Sequence, residues 1–143
     1  MNEEKILCGK VSKLTLPVIQ PPSGPGTPIL KRLALPQGEL AQFYDDQEGI
    51  RYIAFIELLA GAPRGNHYHM IKEEWIYLVR GTLSLIVEDI VSKERDSFSL
   101  VAGDLVRIST GVAHTLQIVD AGQAIEFSTA RFDPKDIYRY VLV

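Results

Sequence analysis

The sequence predicts an antiparallel all-β fold, a barrel or a double-sheet jelly roll, on three observations. Short apolar runs follow one another from Ile50 onward, turn signals separate them, and no long segment of period 3.6 lies between them. The runs occupy 51–59, 74–79, 83–88, 97–101, 105–109, 114–119 and 124–130. Turn residues fill the gaps, among them Gly61-Ala62-Pro63-Arg64-Gly65, Arg80-Gly81, Ala102-Gly103-Asp104 and Asp120-Ala121-Gly122. Within the runs, Ser97-Phe98-Ser99-Leu100 alternates with period two, as a half-buried strand does. The segment from Glu74 to Val79 is apolar on both faces, so it reads as a strand packed on two sides.

The two ends differ from this pattern. Five of the eight prolines lie between Pro17 and Pro28, and proline removes backbone donors and fixes φ. Residues 17–28 therefore read as an extended loop inside an N-terminal arm, 1–45, ahead of a barrel domain, 46–143. Near the other end Asp133-Pro134 predicts the start of a short helix, with Asp as cap and Pro at the first position. The aromatic tail Tyr138-Arg139-Tyr140 is expected to return to the body.

Composition narrows the function classes. An apolar fraction of 46% and a charged fraction of 23% are those of a globular domain, and 143 residues suffice for one core without disulfides. The single cysteine, Cys8, cannot form an intrachain bridge or a Cys-based zinc site. The formal net charge of −3 lacks the basic excess that phosphate neutralisation demands, so nucleic acid is not expected as a partner. The start, Met1-Asn2-Glu3-Glu4-Lys5, has no apolar block behind it, and no run is long enough to span a bilayer. A cytoplasmic protein with no membrane partner is the expectation.

Chemistry concentrates on three histidines, His67, His69 and His114. His67 and His69 are two apart and share a strand face, which suits a metal ion or an acid/base pair. Glu74 follows after a turn at 70–73 and is placed opposite the imidazoles, with Glu73 as the rival carboxylate assigned to the exposed end of that turn beside Lys72.

Gly61, five residues, His67, one residue, His69, four residues, Glu74, six residues, Gly81 resembles the first motif of the cupin superfamily. Gly103, five residues, Ser109, one residue, Gly111, two residues, His114 resembles the second. The resemblance covers about 50–132, with Ser109 where the family usually has Pro and Ile118 where it often has Asn. It implies an antiparallel double-stranded β-helix, the cupin jelly-roll barrel. His67, His69, Glu74 and His114 would hold one divalent ion, whether zinc, manganese, iron, nickel or cobalt.

A narrower resemblance lies in Arg64-Gly65-Asn66-His67-Tyr68-His69 and in Glu126-Phe127-Ser128 followed by the stretch from Phe132 to Tyr140. Both are similar to cupins that epimerise or ketoisomerise sugar nucleotides in deoxysugar and polysaccharide pathways. That similarity implies His67, His69 and Glu74 as catalytic groups, and Arg64 as a contact to an anionic part of a sugar or nucleotide-sugar substrate. Tyr68, Tyr77, Tyr52 and Arg107 are further pocket candidates. The function expected is a metal-dependent isomerase or epimerase. An iron-dependent dioxygenase and a non-enzymatic sugar-binding module are the alternatives that the fold also admits. Sheet edges in so small a barrel favour a homodimer.

Adjacent strand residues face opposite ways, so only one of Glu73 and Glu74 can look inward. With Glu74 inside, Ile76 and Leu78 share its face while Trp75, Tyr77 and Val79 pack outside. Glu74→Gln should then lower affinity for a divalent ion sharply and Glu73→Gln hardly at all, as read by competition with a chelating dye. A larger loss from Glu73→Gln would reverse the register.

Overall fold

Alternating burial along nearly every segment from residue 52 onward turns the chain into strands that close on a single apolar interior. A computed structural model describes residues 2–143, with no helix among them. Twelve strands form: β1 Asn2–Ile6, β2 Val11–Thr15, β3 Val18–Ile19, β4 Lys31–Leu35, β5 Gly38–Gln42, β6 Tyr52–Leu58, β7 Arg64–Tyr68, β8 Glu74–Asp89, β9 Arg95–Val101, β10 Asp104–Ile108, β11 Val112–Ser128 and β12 Tyr138–Arg139. Nine of them make one sheet, in the order β1-β2-β10-β8-β11-β7-β12, with β6 added to β11 and β9 added to β8. All pairings in that sheet are antiparallel, giving the jelly-roll barrel of the cupin type.

Two turns read from the sequence are not reversals. Arg80-Gly81 lies inside β8, and Asp120-Ala121-Gly122 lies inside β11. The two long strands pair along their whole lengths and bend together where register shifts interrupt the ladder, between Ile118 and Ala124. Glycine serves close approach here. A Cβ on Gly122 would fall 1.7 Å from the Arg80 carbonyl oxygen, and Gly81 adopts φ of +103°. Beyond the bend the partners change: 74–77 of β8 lie beside β10, and 82–88 lie beside β9.

The interior core comprises Val11, Ile56, Leu58, Ile76, Leu78, Leu83, Leu85, Val87, Leu100, Val106, Ile108, Val112, Leu116 and their neighbours. A second cluster sits on the outer face, where Tyr77, Leu105, Phe127 and Leu16 are buried and Trp75 packs against them. Its cover comes from the first 45 residues. Leu14, Leu30, Ala41, Phe43 and Tyr44 close over it, with Phe43 stacked on Tyr77 at a centroid distance of 4.2 Å. The segment read as an arm thus supplies β1 and β2 to the main sheet and a separate three-stranded sheet, β3-β4-β5. Within the proline-rich stretch only β3 is strand, a two-residue edge parallel to β4. The prolines kept that segment out of any sheet interior.

The expected helix at Asp133-Pro134 does not form. The Asp133 carboxylate caps a single turn by accepting the Lys135 N–H, and the chain then extends into β12 beside β7. A lone turn without following helical contacts cannot propagate.

One irregularity positions the site. Strict alternation would put Arg64 and His67 on opposite faces of β7. Gly65 at φ +119° and Asn66 at φ +56° break the alternation, and the ladder to β11 shifts register between His114 and Thr115. The bulge turns both Arg64 and His67 toward the cavity. A Cβ on Gly65 would lie 2.7 Å from the His114 carbonyl oxygen, so no other residue fits.

Two outcomes follow from these contacts. Gly65→Ala should destabilise by about 2–4 kcal/mol through strain and clash, as measured by denaturant unfolding. A loss below about 0.5 kcal/mol would mean the bulge relaxes freely. Asp89, buried at the end of β8, is ion-paired to Lys10 and accepts the Val91 N–H, which draws its pKa down from 3.8 to about 2. Because the folded pKa lies below the unfolded one, this contribution is whole above about pH 4 and fades as pH falls through 2. Asp89→Asn should lower stability at pH 7 and narrow the gap to wild type toward pH 2. A gap constant with pH would discount the ion pair.

Candidate functional site

The inner faces of β7, β8 and β11 meet in a cavity lined by Ile56, Arg64, Gly65, His67, Glu74, Ile76, His114, Leu116 and Glu126. Its enclosed space is about 40 Å³, room for an ion or one or two water molecules. The cavity opens to solvent at a mouth where Arg64 is exposed.

The three histidines converge. Ring centroids of His67 lie 4.9 Å from His69 and 4.8 Å from His114, and a ring nitrogen of each lies within 4.8 Å of the others. Backbone carbonyls fix two of the rings. His69 donates from Nδ1 to the Asp136 carbonyl at 2.7 Å, and His114 donates from Nδ1 to the Val112 carbonyl at 3.1 Å. Each ring therefore turns Nε2 inward, and both Nε2 atoms are buried without a hydrogen bond. Burial, with His114 beside it, pushes His67 down to about 4, and burial also lowers His69, so both rings stay neutral near pH 7.

Glu74 is buried and faces these rings, with Oε2 2.9 Å from His114 Nε2, though out of line for a hydrogen bond, and Oε1 3.8 Å from His69 Nε2. Burial works to raise its pKa, but His114 and Lys72 hold the carboxyl well below its usual range. Glu73 points outward and meets Arg107 at 3.5 Å.

Lys72 departs from the expectation of an exposed turn residue. Its side chain is 6% exposed, and Nζ lies 2.7 Å from Glu126 Oε1, 3.3 Å from Glu74 Oε1 and 4.4 Å from the Tyr52 ring centroid. Burial tends to lower its pKa, but the two carboxylates raise it, so the amine stays charged. Burial and the neighbouring Glu74 push Glu126 up to about 7. Lys72 and Glu126 were not legible as site residues. Lys72 looks like any turn lysine, and Glu126 enters only as part of the Glu126-Phe127-Ser128 resemblance, with no role attached to it.

Three pocket candidates stand elsewhere. Tyr77 lies on the outer face of β8 in the second cluster. Arg107 pairs across from Trp75 and donates to Ser109 and to the Gly9 carbonyl. Tyr68 faces away from its two neighbouring histidines and stacks on Tyr138 at 5.1 Å. Strand alternation decides all three. Tyr52 reaches the edge of the site through Lys72 and stacks on Phe132 at 5.6 Å.

The donor set fits a divalent ion of borderline hardness: three imidazole nitrogens, two of them without a hydrogen bond, and one carboxylate oxygen, while Lys72 takes the other. Burial works to lower the pKa of His114, but the facing Glu74 carboxylate raises it, so this ring must give up any proton before it ligates.

Comparison with known proteins agrees with this architecture. No curated protein matches the chain in sequence. The rmlC epimerase of Mycobacterium tuberculosis superposes with a TM-score of 0.75 at 16% identity, over 97% of this chain and 72% of that one. The dTDP-6-deoxy-D-glucose-3,5-epimerase RmlC of Legionella pneumophila, solved with dTDP-4-keto-L-rhamnose, gives 0.75 at 12% identity over 99% and 78%. The 3,4-ketoisomerase QdtA of Thermoanaerobacterium thermosaccharolyticum, solved with TDP, gives 0.71 at 15% identity over 91% and 87%. At such identities the likeness is one of fold. In sequence, the model of the polysaccharide biosynthesis C-terminal domain matches residues 36–136, and the chain belongs to that family.

Proposed function

We propose that this protein is an isomerase of sugar nucleotides, an epimerase or ketoisomerase that moves a proton at carbon beside a keto group. The observation that supports it most is one small cavity holding imidazoles, two carboxylates and an ammonium, with Arg64 at its mouth. Such reactions need a group to take a proton from carbon, the same or another group to return it, and positive charge beside the oxygen that becomes anionic. The fold shared with rmlC, RmlC and QdtA and the family match point to the same class.

Each residue takes a role in this reading. Arg64 holds the diphosphate outside the cavity, since a guanidinium makes paired contacts to phosphate oxygens. Glu126 takes and returns the proton, because a carboxyl poised near neutrality is present in both forms. The Lys72 ammonium keeps Glu74 ionised and places positive charge near the developing oxyanion. His67, His69 and His114, with Glu74, would hold a divalent ion, and such an ion supplies Lewis-acid polarisation of the substrate carbonyl. The reading includes a homodimer in the cytoplasm. Ile53, Phe55 and Leu59 are exposed on or beside β6, which pairs only with β11 among the described residues. No helix among the described residues is long and apolar enough to cross a membrane.

The test is solvent exchange. With TDP-4-keto-6-deoxyglucose in D₂O, deuterium should enter at carbon next to the ketone, read by NMR or mass spectrometry. Glu126→Gln should slow incorporation about 100-fold or more. Arg64→Ala should raise KM about tenfold with a smaller change in kcat. No incorporation into this or other keto-sugar nucleotides, with protein prepared both with and without zinc, would overturn the reading.

A further inference from the structure

The C-terminal segment folds back across the strand that carries the first two histidines, and its contacts there go beyond packing. The carboxylate of Asp136, a buried side chain, accepts the backbone N–H groups of three consecutive residues: Met70 at 2.8 Å, Ile71 at 3.1 Å and Lys72 at 3.0 Å. These residues form the turn between His69 and Glu74. The same residue's main-chain carbonyl accepts Nδ1–H of His69 at 2.7 Å. A carbonyl can only accept, so this bond requires the proton on Nδ1 and leaves Nε2 a bare lone pair directed into the cavity.

We propose that Asp136 is a positioning residue: by gathering the 70–72 turn on its carboxylate it brings its own carbonyl onto His69, selecting the tautomer whose Nε2 can bind an ion or accept a proton. The inference rests on the functional reading above only for why that lone pair matters. The coupling is mechanical. Three charge-assisted bonds to adjacent amides fix the carboxylate relative to the turn, and the carbonyl is covalently tied to it. The clamp also aims Lys72 inward, since its backbone N–H is one of the three donors and its side chain reaches Glu74 and Glu126. Farther along, Asn66 holds the segment down by accepting the N–H groups of Leu142 and Val143 and giving its carbonyl to the Tyr140 N–H. The middle of β7 and the turn that follows it are thereby tied to the tail.

The experiment reads the tautomer itself. In full-length, metal-free protein labelled with ¹⁵N at histidine, long-range proton–nitrogen spectra at pH 7.5 should show His69 as the Nδ1–H form, with Nε2 at a bare-nitrogen shift. Asp136→Ala should give averaged shifts from both tautomers, and Asp136→Asn, which keeps one acceptor oxygen, a partial shift. Asp104→Asn, which weakens the buried acceptor of the Val101 N–H at the turn between β9 and β10, should leave the His69 spectrum unchanged. Zinc affinity by dye competition should fall about 10–100-fold in Asp136→Ala, the usual effect of losing support behind a ligand. If folded Asp136→Ala retains the wild-type His69 signature, or Asp104→Asn shifts it equally, the proposal is overturned. Where Asp136→Ala does not fold, an unshifted His69 in Asp136→Asn overturns it in the same way. Wild-type protein that neither binds zinc nor exchanges deuterium defeats the functional reading, whereas the tautomer signature decides this one.

Discussion

A carboxylate taken out of water costs several kcal/mol unless a cation or hydrogen-bond donors stand beside it, and this barrel buries Glu74 and half-buries Glu126 within reach of it. Lys72 makes that arrangement possible. Its ammonium touches both and favours their ionised forms; Glu74 stays ionised, whereas burial and the neighbouring Glu74 still push Glu126 up to about 7. The imidazoles add a second constraint, since His67 and His69 must remain uncharged beside that ammonium, and burial ensures that they do. Removing Lys72 would leave Glu74 with His114 as its one close cationic partner and take from Glu126 its ion pair, so the charge balance of the site depends on it.

Placing Lys72 inward is a task for the chain around it. It sits in a turn, where side chains ordinarily seek solvent, yet the turn is gripped from behind by Asp136. The bulge at Gly65 and Asn66 performs a matching task at the other end of β7, bringing Arg64 to the mouth of the cavity. Both devices depend on the segment after β11, which pairs with β7 and anchors on Asn66. The N-terminal residues act on the opposite face. There Phe43 and Tyr44 shield Trp75, Tyr77 and Phe127, so the strands bearing Glu74 and Glu126 are supported on both sides. A two-sided strand cannot shift register without exposing one core or the other.

The small enclosed volume shapes the chemistry. Polar groups around a cavity of about 40 Å³ act on the part of a molecule that reaches them, and Arg64 lines its mouth. Binding energy and reaction are thereby separated, an arrangement suited to substrates with a charged handle and a reactive end.

Much of this was legible in the sequence. Alternation and turn spacing determined an antiparallel all-β fold, and the spacing of His67, His69, Glu74 and His114 determined which side chains gather at its centre. These are local periodicities, fixed by the two-residue repeat of a strand. Tertiary structure decided the rest. Gly81 and Gly122 have the composition of turns, yet close backbone contact across strands makes them bends in continuous β8 and β11. Asp133-Pro134 carries a helix start that nothing downstream sustains. Tyr68, Tyr77 and Arg107 are plausible pocket residues by type and are excluded by the face their strands present. Lys72, Glu126 and Asp136 belong to the site because partners more than fifty positions away in sequence surround them. No window of the sequence contains those partners. Charge compensation and hydrogen bonding between distant residues exist only after the barrel has closed.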